Sequence, residues 1–361
     1  MVGKASRVIK GLGCWKMFDV LGGRYACALV FGGLVWMMNL QRACVVGALC
    51  VSSIRLAAFA ADRYRTRNAR GERMDFGKTY AHRGGRMSTP ENTMPAFENA
   101  SQMVDVLELD VWLTKDNKVV VFHDSTFDRV CGRQGVIAET KFADLPKVLK
   151  RPSDGFPQGE KNARVADENH IPLFMEVLDL LSQPERKDRK VLVEFKQHNK
   201  VLVELVKSML YSRGFVQDDR VVWFSLEYGI NRLLGASDPS IPRLSSVPEV
   251  ITYTLLFWLG LLPLMPMDIS MFGITCGTLE SLHSFVETVS VLCSMPYEIQ
   301  MFIVRTYRAM LTSPDMFTYM KSRNIMCVLL GVNTDEDLEF SREMGADMVI
   351  TDNPEWLAKA I

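Results

Sequence analysis

Downstream of residue 78 the chain alternates short apolar runs rich in Val, Leu and Ile with longer stretches in which apolar side chains return every three or four positions. The short runs read as buried strands and the longer ones as amphipathic helices, and their alternation predicts a parallel α/β fold. Strands are expected at 79–81, 106–113, 119–122, 191–196, 221–225, 241–244 and 325–330, and helices at 93–103, 171–181, 301–323 and 336–344. Asn92 or Thr93 caps the first helix. Residues 151–169, crowded with Gly, Pro and charge, read as a surface loop.

Two stretches break this alternation. Residues 1–24 form a basic segment, with Lys4, Arg7, Lys10, Lys16 and Arg24 against Asp19 alone, and residues 25–61 follow almost without charge, interrupted by Arg42 and Arg55. The far flank, 62–77, is a basic linker carrying Arg63, Arg65, Arg67, Arg70 and Arg73. A two-pass hairpin with both ends cytosolic satisfies the positive-inside tendency better than one tilted helix, and a cleaved signal peptide or mitochondrial presequence ranks below both. The expectation is an integral membrane protein of the endoplasmic reticulum or another internal membrane, its folded domain, 78–361, facing the cytosol. The second stretch, an apolar insert at about 249–274, is too short and too interrupted by Pro263 and Pro266 to span. It reads as an interfacial element that places Phe257, Trp258, Leu261 and Leu262 at a membrane or substrate mouth, with a buried helix or lid as the alternative.

Composition adds bounds. A chain of 361 residues with 48% hydrophobic content suits one large α/β domain plus an extra segment. Lysine and arginine total 42, as do aspartate and glutamate, so there is no basic footprint for nucleic acid. The 8 cysteines lie scattered without Cys-x-x-Cys spacing and read as reduced and buried.

Candidate chemistry gathers at strand ends. His82-Arg83-Gly84-Gly85 follows the first strand, and its two glycines allow a ligand to approach the backbone closely. On the strand 106–113, Glu108 and Asp110 share one face and Leu107, Leu109 and Val111 the other. Two carboxylates beside an apolar face are costly unless something positive lies between them, and a hard divalent cation meets that need. A turn at 115–118 leads to a strand that ends at His123-Asp124, and Glu194 and Lys196 share a face farther on. Blander readings compete. His170, His198 and His283 read as structural or surface groups, Asp128-Arg129 as a surface ion pair and Cys131 as packing. A same-face carboxylate pair is more often a solvated edge or half of a salt bridge.

The segments His82-Arg83-Gly84, Pro90-Glu91-Asn92-Thr93, Glu108-Leu109-Asp110, Thr114-Lys115-Asp116 and Val121-Phe122-His123-Asp124 resemble, in that order, the glycerophosphodiester phosphodiesterases, and the resemblance continues to Thr351-Asp352-Asn353-Pro354. The apolar Gly260-Leu261-Leu262-Pro263 stretch and the N-terminal segment narrow it to the membrane-bound lysophospholipase D branch. The resemblance implies a (β/α)8 TIM barrel of the phosphodiesterase type with an N-terminal membrane segment, its site on the C-terminal face. It implies one divalent cation, Mg2+ or Ca2+, on Glu108, Asp110 and Glu194, with Arg83 and Lys196 on the phosphate. It implies His82 and His123 as an acid and base pair, His82 taken as base and His123 as acid, with Glu91, Asn92 and Asp124 behind them. The expected substrate is a lysophospholipid, cleaved to lysophosphatidic acid and a head-group alcohol at a membrane whose lipid is the expected partner. A water-soluble deacylated glycerophosphodiester is the alternative. A retired lipid-binding scaffold is a third reading, disfavoured because two histidines and three carboxylates all persist. Leu330 stands where the branch usually carries Trp, so one aromatic wall of the substrate site is missing or supplied from elsewhere.

Overall fold

The structure, a computed structural model, describes residues 74–149, 169–278 and 295–361, together with Ser53 and Ala60. The three stretches belong to one compact unit, Arg63–Ile361. Strand β1 (Thr79–Ala81) leads through a 3-10 turn to α1 (Met94–Ala100), and β2 (Val106–Leu113) folds back as β3 (Val119–Val121), followed by the short α2 (Asp128–Cys131). Then come α3 (Phe174–Leu181), β4 (Lys190–Phe195), α4 (Lys200–Ser212), β5 (Val221–Phe224), α5 (Tyr228–Ser237), α6 (Val247–Trp258) and β6 (Met271–Thr275). The chain closes with α7 (Tyr297–Leu311), α8 (Pro314–Ser322), β7 (Met326–Leu330), α9 (Asp335–Met344), β8 (Met348–Thr351) and α10 (Pro354–Ala360).

Parallel strands follow one another in the order β5-β4-β2-β1-β8-β7-β6, and β3 lies antiparallel on β2. Between β5 and β6 the ring is carried by two parallel bridges, Trp223 to Arg243 and Leu244 to Met271. Pro242 lacks an N–H, so the expected strand at 241–244 is reduced to these two residues. The result is a TIM-barrel-like α/β fold. On β2, Leu107, Leu109 and Val111 pack outward with Val177, Leu178 and Leu181 of α3. Val106 faces inward with Tyr80, Leu192, Val222, Met271 and Met348. The same alternation puts Glu108 and Asp110 on the inner face nearer the C-terminal end of β2, which is why they are buried charges rather than a solvated edge.

Three expectations are corrected. The helix expected at 301–323 is two helices, because Pro314 cannot donate an N–H and Ser313 before it is extended (φ -118, ψ 115). The apolar stretch 249–274 is not one interfacial insert. Its first part is α6, Leu262 is fully buried, and Met271–Thr275 is a barrel strand whose apolarity comes from facing the interior on one side and helices on the other. The expected integral membrane localisation is also overturned: among the described residues no helix is long and apolar enough to cross a membrane. The segment 25–61 that carried the expectation, and the loop expected at 151–169, lie outside the described residues, apart from Ser53, Ala60 and Asn169.

An apolar groove of about 290 Å3 runs between α6 and α7, lined by Ile251, Leu255, Phe302, Ile303, Tyr307 and Met310. Trp258 ties the two helices together by donating its indole N–H to the Met310 carbonyl at 2.8 Å.

Candidate active site

Parallel pairing of β2 with β4 sets Asp110 directly beside Glu194. With Glu108 they form a buried trio, each offering one carboxylate oxygen, and these three oxygens lie within 4.8 Å of one another. The backbone N–H of Arg83 donates to Glu108 Oε2 at 2.8 Å, and Asn92 Nδ2 donates to Asp110 Oδ2 at 2.8 Å. Arg83 adopts φ 53, a left-handed conformation uncommon for a side-chain-bearing residue, and that conformation belongs to the turn that aims its N–H at Glu108. Lys196 Nζ sits 2.8 Å from Glu194 Oε1 and 3.1 Å from Asp110 Oδ1. The second approach is off the hydrogen-bonding direction, so Asp110 Oδ1 is left buried with no hydrogen-bond partner.

Three carboxylates face two cations here, and the excess is felt unevenly. Burial, then Asp110 and Glu194, push the Glu108 carboxyl well above its ordinary range. Burial likewise raises Glu194 despite Lys196. At Asp110 the cost of burial is outweighed by Lys196, His123 and Arg83, and its carboxyl is held below the usual range. A trio of converging buried carboxylates, one with an oxygen lacking a hydrogen-bond partner and two pushed toward their neutral forms, is a donor set that fits a hard divalent cation.

Two histidines sit in matched settings. His82 Nδ1 lies 2.7 Å from Asp352 Oδ1, and Arg86 grips the same carboxylate through Nε (2.7 Å) and Nη2 (3.0 Å). His123 Nδ1 lies 2.6 Å from Asp124 Oδ1, and Arg129 grips that carboxylate through Nε (2.7 Å) and Nη2 (3.0 Å). Each imidazole side chain keeps 28% of its surface exposed while its Nδ1 is engaged by a carboxylate. Burial, with Arg83 and Arg86, lowers the pKa of His82 in spite of Asp352. At Asp352 the cost of burial is overcome by His82 and Arg86, which hold it ionised.

Glu91 joins the two halves. It accepts from Arg83 Nη1 at 3.1 Å and from both Nη atoms of Arg129, at 3.0 and 2.6 Å. Thus Asp124, Arg129, Glu91 and Arg83 form one hydrogen-bonded chain behind the site. On the other side, Asn333 donates to Asp352 Oδ2 at 3.1 Å and accepts from its backbone N–H at 2.8 Å. The glycine pair serves the protein rather than a ligand: a Cβ on Gly84 would stand 2.8 Å from that of Ala96, and one on Gly85, at φ +94, would stand 2.6 Å from Pro354 Cγ and Cδ.

The structure therefore brings together His82, Arg83, Glu91, Asn92, Glu108, Asp110, His123, Asp124, Glu194 and Lys196. It does not gather the four residues expected at a membrane or substrate mouth. Leu262 is fully buried, Phe257 packs against Tyr319 with ring centroids 6.0 Å apart, Leu261 is half-buried and Trp258 is 54% exposed. Four residues the sequence reading did not assign join the site: Arg86, Arg129, Asn333 and Asp352. Asp352 stood inside a recognised motif without a role, and Arg129 had been read as half of a surface pair with Asp128.

The sequence profile of the Glycerophosphoryl diester phosphodiesterase family matches residues 82–356. The chain is 28% identical over 278 residues to human lysophospholipase D GDPD1, covering 77% of this chain and 83% of that protein. It is 28% identical over 275 residues to human lysophospholipase D GDPD3, covering 76% and 81%. Among solved structures, an Oleispira antarctica phosphodiesterase in complex with the product sn-glycerol-3-phosphate has the same fold, with TM-score 0.55 and 20% identity, over 79% of this chain and 96% of that one.

Proposed function

Because the chain belongs to the glycerophosphoryl diester phosphodiesterase family, we propose that it hydrolyses a glycerophosphodiester, and specifically that it acts as a lysophospholipase D. The observation that carries the reading is the pair of histidines, each anchored through Nδ1 to a carboxylate, together with three converging buried carboxylates.

A phosphodiester is an anion that repels nucleophiles, so the site has to neutralise charge and handle two protons. A divalent cation, Mg2+ or Ca2+, held by Glu108, Asp110 and Glu194 would supply Lewis-acid neutralisation of a phosphate oxygen. Arg83 and Lys196 take up further phosphate charge. His82, whose lowered pKa keeps it neutral near pH 7, accepts a proton at Nε2 from the attacking water. The water oxygen forms a bond to phosphorus while the bond from phosphorus to the head-group oxygen breaks. His123 Nε2 gives its proton to the departing alkoxide. One water is consumed, and the products are lysophosphatidic acid and the head-group alcohol. Solvent exchange returns His82 and His123 to their starting forms.

The apolar groove between α6 and α7 supports the acylated substrate. Tyr307 in its lining lies close to Thr275, the last residue of β6. A single acyl chain fits an apolar trough of this kind, and the names of the human relatives agree. A second reading, a deacylated glycerophosphodiester as substrate, is favoured by the glycerol phosphate product held by the Oleispira relative. The deciding experiment measures choline and lysophosphatidic acid released from lysophosphatidylcholine by the purified protein in EDTA, Mg2+ and Ca2+, with His82→Ala as control. Cation-dependent release absent from the variant is expected. Cleavage of glycerophosphocholine alone would select the second reading, and no cleavage of either would leave a lipid-binding scaffold.

A further inference from the structure

We propose that Arg129 is the positioning residue for the general acid, His123. The assignment rests on the phosphodiesterase reading and on His123 protonating the leaving group, and deepens both.

Arg129 spends its guanidinium on two carboxylates at once. Nε and Nη2 hold Asp124, while Nη1 and Nη2 hold Glu91. Asp124 is adjacent to His123 in sequence and could turn its carboxylate either toward the ring or toward solvent, since it is only partly buried. With both Asp124 oxygens fixed by the fork, the oxygen that meets His123 Nδ1 has one place to be. Glu91, buried and shared with Arg83, anchors the far side of the fork to the barrel. The arginine therefore transmits the rigidity of the phosphate clamp to the acid. A planar fork suits two carboxylates on its two edges in a way that a lysine point charge cannot.

The test varies the leaving group. An alkoxide such as choline needs a proton as it departs, whereas p-nitrophenolate does not. With the full chain and its divalent cation, Arg129→Gln should lower kcat about 100-fold on lysophosphatidylcholine, within the range of a general acid's contribution. On the p-nitrophenyl ester of the same lysophosphatidic acid the loss should stay within about fivefold. Arg129→Lys should behave like Arg129→Gln, because charge without the fork does not fix Asp124. Asp124→Asn, which keeps the side chain's size and leaves Arg129 in place, should show the same selective loss and covers the case in which an Arg129 variant does not fold. Parallel losses on the two esters, or recovery by lysine, would overturn the assignment. A wild-type protein inactive on both esters would instead strike the phosphodiesterase reading itself.

Discussion

Replacing Glu108 with Gln should make the cation-free protein more stable while removing its response to the cation. The side chain keeps its shape, and an amide oxygen can still accept the Arg83 N–H that Glu108 Oε2 receives at 2.8 Å. What disappears is one of three negative charges, each offering one oxygen within 4.8 Å of the other two. At that separation, with an effective dielectric constant of about 20, two unit charges repel by roughly 3 kcal/mol. Glu108 has two such neighbours, with Arg83 offsetting part of the repulsion, and its raised pKa means that protonation already relieves some of the rest. A net gain of about 1–3 kcal/mol is what remains, or roughly 2–5 °C in Tm for a unit as long as Arg63–Ile361. The wild type should gain about 2.7 kcal/mol when the cation is supplied at about 100 times its Kd, and the variant almost nothing. Thermal unfolding in EDTA and then in Mg2+ or Ca2+ reads both quantities. A variant that melts below the wild type in EDTA, or that keeps the cation-dependent rise, would refute the placement of the cation on Glu108.

The His82 unit makes two further predictions. Asp352→Asn leaves Arg86 without its charged partner and lets the imidazole take the wrong tautomer, so kcat should fall about 100- to 10,000-fold with little change in KM, as a full kinetic comparison would reveal. The pH profile has a fixed sign. His82 must be neutral to accept a proton, and its pKa is lowered first by burial and then by Arg83, so the limb of the kcat/KM profile that reports His82 should fall toward acid, with a midpoint below about 6.5. Arg86→Gln removes one of the lowering charges and should move that midpoint upward; a wild-type midpoint above about 6.5 would contradict the role.

How much of this was legible in the sequence depended on how local each signal is. The alternation on β2 placed Glu108 and Asp110 on one face, and a period of two cannot be mistaken over an 8-residue strand. Glu194 needed the parallel register of β2 with β4, which the order of motifs suggested and only the fold supplies. Met271–Thr275 was misread because a fully buried barrel strand and a lipid-facing run have the same composition; their difference lies in what surrounds them. The same ambiguity hid the break at Pro314, where helical periodicity continues across a residue that ends the hydrogen-bond ladder. Arg129 was invisible for a different reason. Its nearest charged neighbour in sequence is Asp128, but its guanidinium reaches Asp124 and Glu91, and nothing in spacing tells a paired surface arginine from one turned inward.

The two histidine units differ in how far apart their parts lie along the chain, and that difference can be tested. His123 takes its carboxylate from the next residue, whereas His82 takes one 270 positions away, delivered by the pairing of β1 with β8. The base therefore depends on closure of the barrel and the acid does not. Gly85 is where that dependence is most exposed, since Met87 N–H bonds the Asp352 carbonyl at 3.0 Å and Pro354 packs where a Cβ would go. Gly85→Ala should cost about 1–3 kcal/mol of stability from its left-handed backbone and should push the segment from Asp352 to Pro354 away from His82. Attack on phosphorus then slows whatever group departs, so lysophosphatidylcholine and its p-nitrophenyl counterpart should lose rate together, the opposite of the selective loss expected for Arg129→Gln. If the p-nitrophenyl ester were spared by Gly85→Ala, His82 would be the acid rather than the base, and the roles of the two units would have to be exchanged.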